Sequence, residues 1–125
     1  MAGLTLDSGA LIQYEHGDER VRGWLQAAFE HGTVPTVPAA TIAETYRGAQ
    51  SARIAQLIKK CNVECLDESL AREAGILRAS VSGATTIDAI VVASAATRGD
   101  VLLTTDPGDL SALCAKVAGV TIEAV

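Results

Sequence analysis

The stretch LTLDSGALI, residues 4–12, decides the fold. Its first three residues are a short apolar segment typical of a buried strand, and the next three, residues 7–9, are of types that favour turns. The segment that follows, residues 10–17, has the pattern of a helix. A strand that leads directly into a helix is a βα unit, which predicts a parallel sheet covered by helices.

The same alternation continues along the rest of the chain. Apolar segments without the period-2 pattern of half-exposed strands alternate with stretches of helical spacing. We therefore predict a three-layer α/β/α sandwich with a central, mainly parallel sheet, formed as a single domain over residues 1–125. The predicted strands are 4–6, 34–37, 63–66, 100–105 and 120–122, and the predicted helices are 10–17, 18–31, 38–48, 51–60, 68–80, 86–97 and 107–117.

Length and composition exclude several classes of protein. A chain of 125 residues with 49% hydrophobic residues and a mean hydropathy of +0.27 can bury a core without disulfides or metal. It contains no stretch of roughly 18 apolar residues. The odd number of cysteines and the absence of a basic, signal-like start predict a cytoplasmic protein. Cys61 and Cys65 are closely spaced, but the sequence has no second close pair of cysteine or histidine residues, which a zinc site needs.

The charge distribution limits the ways in which the protein can bind nucleic acid. The net charge is −5, and only 3% of the residues are aromatic, which argues against a basic binding surface and against a base-stacking platform. One segment differs, because residues 45–63 contain four basic side chains and no acid. This segment is either a solvated helix face or a set of phosphate contacts; its basic residues are Arg47, Arg53, Lys59 and Lys60.

Four acidic residues stand where a functional site is expected. Asp7 and Asp106 each follow a predicted strand, and the carboxyl ends of parallel strands meet at one edge of the sheet, where the crevice of such folds lies. Glu44 and Asp88 each interrupt an apolar helical sequence. A buried carboxylate without a partner costs several kcal/mol, and a divalent cation would offset that cost. Carboxylates clustered without metal should also raise the pKa of at least one of them.

Each acid also has an ordinary local explanation. Asp106 precedes Pro107, the arrangement of a helix cap followed by proline at the first helical position. Asp7 suits a turn or a cap. Glu44 and Asp88 each follow a threonine at the spacing of a capping box, although Glu44 lies too far inside its predicted helix and aspartate is a poor third-position residue. Four caps at one edge are a weaker explanation than one site.

The four acidic segments, taken together, resemble the motifs of a known family. LTLDSGALI, ATIAETYRG, TTIDAIVVASA and VLLTTDPGDL, in this order and spacing, resemble the acidic motifs of PIN-domain ribonucleases and are most similar to those of VapC-type toxins. The resemblance covers residues 7–109. It implies that the catalytic and metal-ligating acids are Asp7, Glu44, Asp88 and Asp106, with Asp109 as an additional acid and Thr104 as a supporting hydroxyl.

The resemblance also implies an activity and partners. Members of this family cleave RNA with Mg²⁺ or Mn²⁺, the hard cations that suit carboxylate ligands. VapC-type toxins are neutralised by a cognate antitoxin and commonly form homodimers. We add the hypothesis that Arg47 and Arg53 contact RNA phosphates. The alternatives are a PIN-like nuclease outside a toxin-antitoxin pair, a DNA nuclease, a catalytically silent scaffold and a receiver-like phosphoacceptor domain with an acidic Mg²⁺ pocket.

Overall fold

The structure, a computed structural model, describes residues 2–125. Within these residues the chain forms the predicted alternation of strands and helices, and a short 3-10 helix, Gly48–Ser51, precedes the helix that begins at Ala52. The elements are β1 (Leu4–Leu6), α1 (Ser8–Glu15), α2 (Glu19–Glu30), β2 (Thr36–Pro38), α3 (Ala39–Thr45), α4 (Ala52–Ile58), β3 (Asn62–Glu64), α5 (Glu68–Ala79), α6 (Thr86–Arg98), β4 (Val101–Thr104), α7 (Pro107–Cys114) and β5 (Thr121–Ala124).

The five strands form one sheet in the order β3-β2-β1-β4-β5, and every neighbouring pair is parallel. The predicted α/β/α fold with a mainly parallel sheet is therefore confirmed. The chain builds outward from β1 through β2 to β3, and then returns to the other side of β1 to add β4 and β5. In such sheets the reversal leaves a crevice at the carboxyl ends of the two central strands, here β1 and β4. Receiver-like domains have the order 2-1-3-4-5, so this order excludes that alternative.

Helices cover both faces of the sheet and create two apolar cores. Helices α1, α2 and α4 pack on the face that carries Leu6 and Leu103. Helices α5, α6 and α7 pack on the other face, against Leu102. As its apolar sequence predicts, α6 is buried along most of its length, because residues 89–95 are all covered. None of the helices within residues 2–125 is long and apolar enough to cross a membrane.

A polar network fixes the end of α6 to the sheet. The guanidinium of Arg98 donates to the Asp100 carboxylate at 2.8 Å, to Glu64 Oε2 at 2.9 Å and to the Thr5 hydroxyl at 3.0 Å. Thr5 in turn donates to Asp100 at 2.8 Å. These residues lie on or next to β1, β3 and β4, so the network holds the last turn of α6 against three strands. The first turn of the same helix carries Asp88.

One local expectation differs from the structure. Pro38 is the last residue of β2 and caps α3 instead of lying in its first turn, because its ψ of 134° is extended. The segment that carries the two neighbouring cysteines, Cys61 and Cys65, is only partly covered. Cys65 is exposed, whereas Cys61 is half-buried, and β3 lies at the edge of the sheet. Burial raises the pKa of the Cys61 thiol to about 11, so Cys61 stays protonated and weakly nucleophilic at neutral pH.

Candidate active site

The acids from four separate segments converge at the carboxyl edge of the sheet. Asp7 follows β1, Asp106 follows β4, Asp88 lies in the first turn of α6, and Glu44 lies near the end of α3. Their proximity is visible in their electrostatics. Burial is the largest cause that raises the pKa of both Asp7 and Asp88. The negative charges of Glu44 and Asp106 raise the pKa of Asp7 further, and those of Asp7, Asp109 and Glu44 raise that of Asp88 further.

Asp7 is the buried member of the group, with 7% of its surface exposed. The backbone N–H of Ser8 donates to its Oδ1 at 2.8 Å, and the Thr104 hydroxyl donates to its Oδ2 at 2.8 Å. Burial is the largest cause that raises the pKa of Asp7; the two hydrogen bonds lower it, and neighbouring charges raise it further. Thr104 therefore lies at the site, where the family resemblance implied a hydroxyl.

Asp88 is half-buried, and burial is again the largest cause that raises its pKa. The Thr85 hydroxyl lowers that pKa and also caps α6 by accepting a hydrogen bond from the Asp88 N–H at 3.1 Å. Burial contributes more to both raised pKa values than the repulsion between neighbouring carboxylates does. Both groups resist ionisation, and a bound cation would relieve that resistance.

Glu44 and Asp106 line the exposed side of the cluster. The sequence placed Glu44 on an apolar helical face, but the structure exposes it, because α3 is short and ends one residue later. Its Oε1 accepts a hydrogen bond from the Ser8 hydroxyl. The backbone N–H of Asp106 donates to the Thr104 hydroxyl at 3.0 Å, which connects the loop after β4 to Asp7.

The helix-cap explanations account for only part of this arrangement. Asp106 stands at the cap position of α7 but makes no side-chain cap hydrogen bond. Thr41 donates to the Pro38 carbonyl at 2.8 Å and forms no capping box with Glu44. Asp7 does cap α1, but its second oxygen faces Thr104, which belongs to a different strand.

The donor set suits Mg²⁺ or Mn²⁺ better than zinc. Within residues 2–125 no group of three or more His, Cys, Asp or Glu side chains is placed to hold a metal ion. A structural zinc site needs four such ligands. Mg²⁺ usually keeps several waters and binds through one or two carboxylates, so a buried, hydrogen-bonded Asp7 with acids around it fits that mode of binding.

The two arginines proposed for phosphate contact occupy different positions. Arg47 donates to the Glu44 carbonyl at 2.8 Å and to the Tyr46 carbonyl at 3.1 Å, so it lies beside the acid cluster. Arg53 donates to the Glu15 carbonyl at 3.2 Å. Glu15 ends α1, and the helix begins at the site, so about 12 Å of helix separates the contact made by Arg53 from the acids.

The family model of the PIN domain matches residues 4–116, which include all of these acids. This chain belongs to the PIN domain family. The resemblance inferred from the four motifs is therefore confirmed. PIN domains are nucleases, so membership supports a hydrolase of nucleic acid. No curated protein sequence matches the chain.

Solved structures show the same PIN fold at low sequence identity. A chain of the DNA-bound VapBC complex from Salmonella typhimurium has a TM-score of 0.75 at 18% identity, covering 99% of this chain and 98% of that chain. VapBC2 from Rickettsia felis, bound to a promoter DNA fragment, gives 0.74 at 9% identity, with 98% of each chain covered. A toxin-antitoxin complex from Klebsiella pneumoniae gives 0.73 at 22% identity, with 95% and 96% covered.

Sequence reasoning missed two contributors to the site. The sequence alone indicates Ser8 only as part of a turn, although its position directly after the strand-ending aspartate is a usable signal. The other is the contact between Gly9 and Thr105, where an added Cβ would lie 2.0 Å from the Thr105 hydroxyl oxygen. Because residue 9 has no side chain, the loop that carries Asp106 can pack against the first turn of α1.

Proposed function

We propose that this protein is a Mg²⁺- or Mn²⁺-dependent endoribonuclease toxin, neutralised by a cognate antitoxin. The observation that carries the proposal is the convergence of acids from three other segments on one buried, hydrogen-bonded carboxylate, that of Asp7. Membership of the PIN family supports nuclease chemistry. The fold shared with chains of VapBC complexes supports a toxin over a nuclease that acts outside such a pair.

The proposed roles follow from the position of each acid. Asp7, fixed from two sides, is the central metal ligand, and the other three acids of the quartet, Glu44, Asp88 and Asp106, complete the catalytic and metal-binding set around it. Asp109 supports the set through its charge beside Asp88. A divalent cation held by these carboxylates would supply activation of a water and stabilisation of the charge that develops on the phosphodiester. The carboxylates concentrate that cation at the mouth of the crevice.

We propose that RNA phosphates contact the basic segment after α3. Arg47 is the stronger candidate, because its guanidinium is exposed and held beside Glu44. Arg53 would contact a phosphate farther from the cleaved bond. Replacing both by Ala should weaken RNA affinity and reduce its salt dependence. An unchanged salt dependence would remove both residues from the interface.

We further propose that the protein is a single domain located in the cytoplasm. We propose that it forms a homodimer and that it binds its antitoxin in the cytoplasm. The VapBC neighbours are complexes, which supports the antitoxin. The test is to co-express the chain with the product of a small neighbouring gene that encodes a DNA-binding protein. A stable complex that no longer cleaves RNA would support the toxin assignment, and cleavage unaffected by every such product would favour a nuclease outside a toxin-antitoxin pair. Size-exclusion chromatography with light scattering tests the dimer.

The metal site is tested without knowledge of the RNA. Purified protein is titrated with Mn²⁺, and the free ion is followed by electron paramagnetic resonance, for the wild type, Asp7→Asn and Asp88→Asn. Saturable binding that both variants weaken supports one shared site. The matched control is Glu73→Gln, an exposed acid on α5, which should bind Mn²⁺ as the wild type does. Binding that neither site variant alters would refute the metal site.

The reaction is tested on a complex pool of cellular RNA, because the cleaved sequence is unknown. Cleavage with Mg²⁺ that is lost with a chelator and in Asp7→Asn, located by sequencing of new ends, is the expected result. A single-stranded DNA copy of the cleaved segment is the substrate control. Equal cleavage of that DNA would change the assignment from ribonuclease to a general nuclease.

A further inference from the structure

Ser8 contacts two of the acids at once. It is the first residue of α1, and its backbone N–H donates to Asp7 Oδ1 at 2.8 Å. Its side-chain hydroxyl donates to Glu44 Oε1, across 36 positions of sequence. One residue therefore fixes the distance between a carboxylate at the end of β1 and a carboxylate on α3.

Glu44 depends on this contact more than the other acids depend on theirs. Asp7 is buried and held by Thr104 as well as by Ser8, and Asp88 lies in the first turn of a buried helix. Glu44 is exposed and has a longer side chain with more rotamers. Among the hydrogen bonds of residues 2–125, the Ser8 hydroxyl is the side-chain group that holds the Glu44 carboxylate. Without it, binding a cation would also have to order this side chain.

The contacts made by Ser8 also determine which oxygen atoms remain for a cation. A carboxylate has about four lone-pair sites on its two oxygens. Ser8 and Thr104 each occupy one site of Asp7, one on either oxygen. Ser8 donates to Glu44 Oε1, and no hydrogen bond from the described part of the chain, residues 2–125, reaches Oε2. The two carboxylates are therefore already oriented, and each keeps unused oxygen lone pairs.

We propose that Ser8 is the positioning residue that pre-orders Glu44 beside Asp7 for the divalent cation. This inference rests on the proposed metal-dependent function. Ser8 acts through Glu44 and does not itself bind the metal or the substrate. Groups that orient metal ligands in this way typically change metal affinity by about 10–100-fold when removed.

The test measures Mn²⁺ affinity in Ser8→Ala, Ser8→Thr and a control, Ser69→Ala. Ser69 lies in the first turn of α5 and is exposed, so it controls for loss of a serine near a helix start. Ser8→Ala should weaken Mn²⁺ binding by about tenfold or more. Ser8→Thr keeps the hydroxyl and should restore most of the affinity, whereas a purely structural serine would not require the hydroxyl. Circular dichroism confirms that each variant is folded.

A double-mutant cycle separates this role from a direct effect on Asp7. In a Glu44→Ala background, adding Ser8→Ala should cause no further loss of Mn²⁺ affinity, because the group that Ser8 orients is absent. An equal loss in that background, or wild-type affinity in Ser8→Ala, would overturn the inference while the metal site itself stands. If the wild type binds no Mn²⁺, both the metal site and the role of Ser8 fail.

Discussion

Replacing Arg98 by Met should destabilise the protein strongly, because it leaves a buried charge without its partner. The Asp100 side chain is 4% exposed, and Arg98 donates to it at 2.8 Å. After the substitution, the Thr5 hydroxyl still donates to Asp100 but supplies no positive charge. Removing one partner of a buried ion pair costs about 3–5 kcal/mol. Arg98 itself is 29% exposed, so water reaches the pair and the lower limit applies, about 3 kcal/mol.

The remaining contacts of Arg98 add little to this figure. Its partner Glu64 is 30% exposed and can be hydrated when the guanidinium is gone. Ser94 keeps its hydrogen bond to Glu64. The cost therefore depends mainly on Asp100. The double variant Arg98→Met, Asp100→Asn should be more stable than Arg98→Met alone, because no buried charge remains.

The assay is urea unfolding followed by circular dichroism, with the free energy of unfolding extrapolated to water. The matched control is Arg72→Met, which breaks the ion pair between Arg72 and Glu68. These two side chains are 77% and 78% exposed, respectively. That variant should lose less than about 0.5 kcal/mol. A loss below about 1 kcal/mol for Arg98→Met, or a double variant no more stable than the single one, would refute the reasoning from a buried charge.

Three further predictions follow from the structure. Gly9→Ala should lower the free energy of unfolding by about 1–3 kcal/mol, because the added Cβ would overlap Thr105. The control is Gly23→Ala on α2, where the added Cβ meets open space and should raise the free energy of unfolding by up to about 1 kcal/mol in the same assay. Similar effects of the two substitutions would contradict the overlap. Burial raises the pKa of Asp7, so metal-free protein loses stability as the pH rises from the ordinary aspartate value of about 3.9 through that raised pKa. Asp7→Asn should therefore raise the Tm of metal-free protein at pH 7 but not below pH ~3.5, and a lower Tm at pH 7 would contradict this. Burial raises the pKa of the Cys61 thiol to about 11. Alkylation of Cys61 at pH 8 should therefore be roughly 100-fold slower than alkylation of an ordinary thiol. Labelling at the ordinary rate would show that the thiol is accessible and ionised.

The sequence was sufficient to locate the acids but not to describe their surroundings. The position of Asp7 after a strand and that of Asp88 in the first turn of a helix follow from local patterns, and the structure has both. The exposure of Glu44 was not predicted, because it depends on where α3 ends and on the elements around it. The hydrogen bond from Ser8 to Glu44 was missed for the same reason. Contacts between distant segments leave no periodic signal in either segment.

What the sequence by itself determined is the order and type of the elements, since strands and helices follow from local turn residues and from the spacing of apolar side chains. Family membership also follows from the four acidic motifs. What only the tertiary structure decided is the strand order, which places β4 beside β1. That order lets Thr104 donate to Asp7 across 97 positions of sequence and forms the crevice between them. The physical reason is that packing of helices on both faces selects the order of parallel strands, and no single segment encodes its neighbour in the sheet.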